Sequence, residues 1–156
     1  MSSINPMFDD MKLNKVPNTI SQPQAKPTKP RKERVDKTKN VKLPVDHILH
    51  MQLRRYVKLA YPLYMRKMGK PLSQTKFNTL LLRYVLNHQD IINWDWPYQD
   101  SKRYMHTNLL KTEHREISGP YGLAIQKGFS DRKTVYIMIK SGVQWLERGG
   151  DLEEII

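Results

Sequence analysis

The segment PLSQTKFNTLLLRYVLNH at residues 71–88 returns in outline as FSDRKTVYIMIKSGVQWL at 129–146. A constant offset of 57 sets Ser73 against Ser130 and Lys76 against Lys133. The same offset sets Leu80, Leu81 and Leu82 against Ile137, Met138 and Ile139, and Leu86 against Val143. In the first copy Phe77, Leu80, Leu81, Tyr84, Val85 and His88 fall three and four residues apart. That is one broad face of an amphipathic helix. Each serine stands where an N-cap is needed, one residue before the helical pattern begins. Val85 meets Gly142, a position at which two helices can approach closely. Two unrelated amphipathic helices can match this well by chance. The stronger argument is what precedes each: a short alternating stretch, a first helical stretch, a glycine, then the serine.

The upstream elements can be read in turn. TKNVKLP at 38–44 alternates, with Val41 and Leu43 on one side and Thr38, Asn40 and Lys42 on the other, so it reads as a strand ending at Pro44. Asp46 then caps a helix whose apolar residues are Ile48, Leu49, Leu53, Tyr56, Val57 and Ala60. Pro62 is expected to kink or end it, with LYMRKM as a further turn or so before Gly69. In the second half RYMHTNL at 103–109 alternates again. Met105, Thr107 and Leu109 lie on one side, and Tyr104, His106 and Asn108 on the other. The opposite phase, with Leu110 inward, stays open. A helix is expected between Thr112 and Lys127, broken by Gly119–Pro120 so that PYGLAIQK is its useful part, and Gly128 ends it. The second Ser-capped helix runs to Gly149–Gly150.

The expected organisation is a basic arm at 1–36, a first unit at 37–90, a connector at 91–102, a second unit at 103–150 and a tail at 151–156. The arm reads as disordered from its composition: NTISQPQAKPTKPRKERVDK is rich in Pro, Gln, Lys and Arg and poor in apolar groups. Between Lys26 and Lys42 eight Lys or Arg face only Glu33 and Asp36. The connector IINWDWPYQDSK holds two tryptophans, which either seal the junction between the units or stack on bases; packing is the better use for so large an apolar group.

A net charge of +12 points to a polyanionic partner, against the plain alternative of charge kept for solubility. Without cysteine there is no disulfide framework and no thiolate zinc site, in keeping with a cytoplasmic location. The N-terminal MSSINPMFDD lacks a basic region followed by an apolar core, and no apolar run is long enough to span a bilayer. No membrane partner is expected. His47, His50, His88, His106 and His114 form no HExxH or comparable motif, so no metal, no cofactor and no catalysis are expected.

A strand followed by two helices, the second begun by Gly-x-x-x-Ser or Gly-x-Ser, resembles the ribbon-helix-helix family of DNA-binding proteins. The resemblance is good over 38–88 and weaker over 103–148, where Gly119–Pro120 departs from the pattern. It implies a mostly α fold with short β-strands, in which two ribbon-helix-helix motifs of one chain pair as an intramolecular pseudo-dimer. The pairing has a physical cause: a lone strand has no hydrogen-bond partner, and so short a motif buries too little apolar surface.

The resemblance also implies roles. Outward strand residues enter the major groove of double-stranded DNA and contact bases: Thr38, Asn40 and Lys42, and on the second strand Tyr104, His106 and Asn108. The starts of the second helices hold phosphates through Ser73, Lys76, Ser130 and Lys133, with Lys29, Arg31, Lys32 and Arg34 of the arm adding backbone contacts. The plainer readings are a solvated strand face and simple capping.

Tandem chains with basic arms look like the relaxosome accessory proteins of staphylococcal conjugative plasmids, which bind near an origin of transfer and assist a relaxase. A plasmid transcriptional repressor or a copy-number or partition regulator is the alternative within the same fold. A polybasic protein of a membrane surface is the distant one. Two unlike strands predict an asymmetric target site, with several copies assembling cooperatively along DNA.

Overall fold

A computed structural model describes Pro30 and residues 37–156. The arm residues Lys29, Arg31, Lys32 and Arg34 lie outside the described residues. The described chain is mostly helical with one two-stranded antiparallel sheet.

Strand β1, Thr38–Pro44, alternates through its centre: Val41 and Leu43 are buried while Thr38, Asn40 and Lys42 are exposed; at its ends Lys39 is exposed and Pro44 buried. Helix α1, His47–Met68, starts where the Asp46 carboxylate accepts the Leu49 N–H at 2.7 Å. It buries Leu49, Leu53, Tyr56, Ala60 and Tyr64 in one row. Pro62 does not end this helix, which runs on through it to Met68. The proline is exposed, so the carbonyl it leaves without a partner, that of exposed Lys58, faces the solvent side. Ala60 and Tyr64 are buried on either side of it, so packing holds both turns in register. Gly69 stops the helix in the left-handed region, φ 67°, and its N–H reaches Met65 O at 2.9 Å.

Helix α2, Gln74–Asn87, is capped by Ser73, whose Oγ accepts the Lys76 N–H at 3.1 Å. Strand β2, Tyr104–Leu110, pairs with β1 in the register Asn40↔Asn108, Val41↔Thr107, Lys42↔His106. Its phase is settled: Met105, Thr107 and Leu109 are buried, and Leu110 points outward at 42 % exposure.

The next stretch differs from expectation. Helix α3, Lys111–Ser118, follows the strand directly and helix α4, Leu123–Lys127, follows it, so the useful part is more than PYGLAIQK. Gly119 and Pro120 end one helix rather than prevent it. Gly119 N–H still closes α3 on Arg115 O at 2.8 Å, and Ile117 is fully buried. The turn doubles back so sharply that a Cβ on Gly122 would lie 2.5 Å from Ile117 O.

Helix α5, Asp131–Glu147, is capped by Ser130, whose Oγ accepts the Lys133 N–H at 3.2 Å. The last residues, read as a tail, form a single turn, α6, Leu152–Ile155. Ile155 is buried there and Glu154 accepts the Tyr84 hydroxyl at 2.8 Å.

The elements interlock. Helix α2 packs on β2 and α5 packs on β1, so each second helix lies against the other half's strand. Helices α2 and α5 cross at Gly142, where an added Cβ would sit 2.8 Å from both Leu81 Cδ1 and Val85 Cγ2. One core results, drawn from both halves: Leu43, Leu53, Phe77, Leu109, Ile137 and Met138 are all essentially inaccessible. Each such side chain contributes roughly 1.5–3 kcal/mol of burial. Trp94 and Trp96 lie half-buried against it, and Trp96 Nε1 donates to Ser141 Oγ at 3.2 Å. Here the connector's tryptophans serve packing.

Candidate nucleic-acid interface

A two-stranded sheet has two open edges and two faces. One face of this ribbon covers the core through Val41, Leu43, Met105, Thr107 and Leu109. The other presents Thr38 opposite Leu110, Asn40 opposite Asn108 and Lys42 opposite His106, and it closes at buried Pro44 opposite half-buried Tyr104. Neither strand contains an Asp or Glu.

The centre of the outward face is pre-ordered by side chains bonding across the strands. Asn40 Nδ2 donates to Asn108 Oδ1 at 2.9 Å, and His106 Nδ1 lies 3.1 Å from Asn40 Oδ1. With this amide orientation Nδ1–H donates to Asn40, which in the neutral imidazole leaves Nε2 as an acceptor. The Asn108 amide keeps both of its N–H donors. Exposed Lys42, beside His106, adds an ammonium with three more donors. The face therefore carries both donors and an acceptor, the groups needed to read base edges.

The ribbon is held rigidly from below. The outer edge of β2 is satisfied by two polar residues of α2 that lie within its apolar stripe. Thr79 Oγ1 accepts the Asn108 N–H at 2.9 Å, and Asn78 Nδ2 donates to His106 O at 3.4 Å. Both are buried. Gln74 Nε2 donates to Asn78 Oδ1 at 2.9 Å and fixes that amide. Thr107 Oγ1 reaches Val41 O at 3.0 Å across the ladder. Sequence reasoning missed Asn78 and Thr79; their only signal is polarity within an apolar helical stripe.

Two helix N-termini accompany the ribbon, and they differ. At α2, Ser73 and Lys76 are both exposed and no acidic residue stands in the first turn. At α5, Ser130 is exposed, Lys133 Nζ rests 3.9 Å from the Phe129 ring centre, and Asp131 occupies the first turn. Arg132 lies 5.3 Å from the Tyr104 ring centre, which brings the start of α5 to the Pro44–Tyr104 end of the ribbon.

Tyr104 is half-buried and its hydroxyl donates to both Asp100 oxygens, at 2.8 and 2.9 Å. The Lys102 N–H, at 3.0 Å, and then the Tyr104 hydroxyl hold the Asp100 carboxyl below the usual carboxylate range. The same bond raises the Tyr104 phenol. Of the six strand residues expected to meet bases, Thr38, Asn40, Lys42, His106 and Asn108 are exposed on one face, whereas the Tyr104 hydroxyl is engaged within the protein. Leu110 joins that face opposite Thr38 and was not foreseen; the period-two pattern places it there once the strand phase is known.

Among the described residues, no three His, Cys, Asp or Glu side chains converge as a metal site, and no helix is long and apolar enough to cross a membrane. No protein-family model, no curated protein and no solved structure matches this chain.

Proposed function

We propose that this chain binds double-stranded DNA sequence-specifically by laying the β1–β2 ribbon in the major groove, as a tandem ribbon-helix-helix unit within one polypeptide. The observation that carries this reading is the ribbon's outward face: acid-free and ordered around the Asn40–Asn108–His106 network. The interlock supports the tandem reading, since each second helix packs on the other half's strand. The major groove, about 12 Å wide, admits a two-stranded ribbon. Exposed backbone N–H groups at the starts of α2 and α5, with Lys76 and Lys133, suit flanking phosphates.

The two halves of the ribbon are chemically unlike. An amide pair, Asn40–Asn108, suits adenine edges, while Lys42 beside His106 suits guanine. A symmetric dimer presents two identical halves to a palindrome; this ribbon fits an asymmetric site, repeated directly where copies assemble side by side. Within the resemblance to relaxosome accessory proteins, such a site lies near an origin of transfer and the partner protein is a relaxase. Plasmid repression or copy-number control is the alternative, and it uses the same ribbon.

The test is selection of bound duplexes from a random pool by the full chain, followed by mobility-shift titration at several salt concentrations. A discrete non-palindromic site is expected. Asn40→Ala with Lys42→Ala should weaken binding to it by roughly 1–3 kcal/mol per lost base contact. Removal of residues 1–36 should weaken selected and random duplexes alike. Binding that ignores sequence and survives the strand substitutions overturns the reading.

A further inference from the structure

Six of the nine exposed large apolar side chains among the described residues lie on α1: Ile48, Met51, Leu59, Tyr61, Met65 and Met68. At 100° per residue, Ile48, Met51, Leu59 and Met65 fall within an arc of about 120°. This arc is centred nearly opposite the buried Leu49–Tyr64 row. Ile48 is 69 % exposed and Leu59 51 %. A surface helix normally gives this side to polar residues. The same helix carries Arg54, Arg55, Lys58, Arg66 and Lys67 and has no Asp or Glu along its 22 residues. Among the described residues Glu147 lies 3.8 Å from Arg55, with both side chains exposed, and Lys67 Nζ donates to Ile156 O at 2.5 Å. Residues His47, Ile48, Met51, Gln52, Arg54, Arg55 and Lys58 line a shallow groove over its first turns.

Charge and pattern select the occupant. A second copy docking face to face would bring like charges together. DNA phosphates would use the arginines but leave the methionines and Ile48 against water. A helix lying in a membrane surface needs its polar groups on the opposite face from its apolar ones. Here Arg55 and Lys58 share the arc of Ile48 and Met51. What fits is a rod with apolar side chains at helical spacing and acidic ones interleaved, about 25 Å long to run from Ile48 to Met65. Met51 and Met65 suit such a surface because their unbranched chains adapt to a partner's shape.

We propose that the outer face of α1 docks an acidic amphipathic helix of a second protein. The contact is independent of the ribbon, so one chain can engage duplex and protein partner together.

The experiment is selection of the full chain against a displayed library of 18-residue acidic amphipathic helices, beside a library of the same compositions with scrambled order. The expected result is enrichment from the first library alone. Enriched peptides, synthesised and titrated by fluorescence anisotropy, should bind Met51→Ser with Leu59→Ser roughly tenfold more weakly. Arg55→Ala with Lys58→Ala should weaken them and flatten their salt dependence. Both variants replace exposed side chains and should melt at the wild-type temperature, and their binding to the selected duplex should be unchanged. Equal enrichment from both libraries overturns the proposal, because attraction is then charge alone. No enrichment, or binding indifferent to Met51 and Leu59, overturns it as well. Flotation with anionic vesicles that is lost in Met51→Ser with Leu59→Ser would assign the face to lipid instead. Concentration-dependent dimerisation lost in that variant would assign it to a second copy.

Discussion

Helix α1 runs 22 residues without a break, while the corresponding stretch of the second half is two pieces, Lys111–Ser118 and Leu123–Lys127, joined by a turn at Gly119–Gly122. The second helices are much closer: both are serine-capped, both cross at Gly142, and both pack on the opposite strand. The regions that are alike are those sharing the central interior, where a change in either half is felt by both. The outer helices need only cover an edge of that interior. α1 does so with one row and keeps a free outer face; α3 and α4 do so with Ile117, Leu123 and Ala124.

The largest effects should come from the shared interior. Leu81 and Met138 stand at equivalent positions, and both are fully buried. Leu81→Ala and Met138→Ala should each cost about 2–5 kcal/mol in urea unfolding, through lost burial and the cavity left behind. Each should leave a single transition with an unchanged slope. If one substitution is nearly neutral, or if two transitions separate, the halves do not form one core.

The next effect tests what ties the broken side to the shared one. Arg83 of α2 donates from Nε and Nη2 to Glu113 of α3, at 2.5 and 3.1 Å, and the Leu110 N–H reaches the same carboxylate at 3.0 Å. Burial pulls the Glu113 pKa upward; the Arg83 and Leu110 hydrogen bonds, with the charges of Arg83 and Lys76, outweigh it and leave it lowered. A carboxyl lowered on folding stabilises fully above its unfolded pKa, about 4.3 for glutamate. The contribution is lost as pH falls through the folded value. Glu113→Gln should cost about 1–3 kcal/mol at pH 7 and reduce the loss of stability on acidification, read from melts between pH 7 and 3. An acid limb as steep as that of the wild type would mean the link contributes nothing.

Gly142→Ala sharpens the same comparison. The new methyl meets Leu81 and Val85 at 2.8 Å and should cost about 1–3 kcal/mol by overpacking. Alanine returns about 1 kcal/mol of helix propensity. A net loss is expected, and stabilisation would show that α2 and α5 separate easily.

Much of this was legible because it is periodic. Alternation gave the first strand and its outward residues, and the offset between Ser73 and Ser130 located both second helices and the close approach at Gly142. Where local rules failed, tertiary packing decided. Pro62 reads as a kink or an end, yet α1 continues through it, with Ala60 and Tyr64 buried on either side. The phase of β2 was open because both Leu109 and Leu110 are apolar; pairing with β1 buries Leu109. Asn78 and Thr79 gave no sign of their role because the backbone groups they satisfy belong to a strand about 30 residues away. Tyr104 looked free because Asp100 meets it only after the chain turns between connector and strand.

The smallest effect concerns the two helix starts and the proposed DNA contact. Both termini offer free N–H groups and a lysine, but α5 has Asp131 in its first turn and α2 has no acidic residue there. An acid in the first turn favours the helix by about 0.3–1 kcal/mol through the dipole and opposes an anion at the same place by a similar amount. Phosphate should therefore be held more firmly at Ser73–Lys76 than at Ser130–Lys133. Asp131→Asn should tighten binding to the selected duplex by about two- to fivefold. Because asparagine is still polar and exposed, the melting temperature should drop only slightly. Gln74→Asp places an acid in the first turn of α2, but it also removes the amide that fixes Asn78. Thr75→Asp is therefore the cleaner converse and should weaken binding by a similar factor. If both variants bind as the wild type does, the two helix starts lie away from the phosphates, and the ribbon engages DNA without that flanking grip.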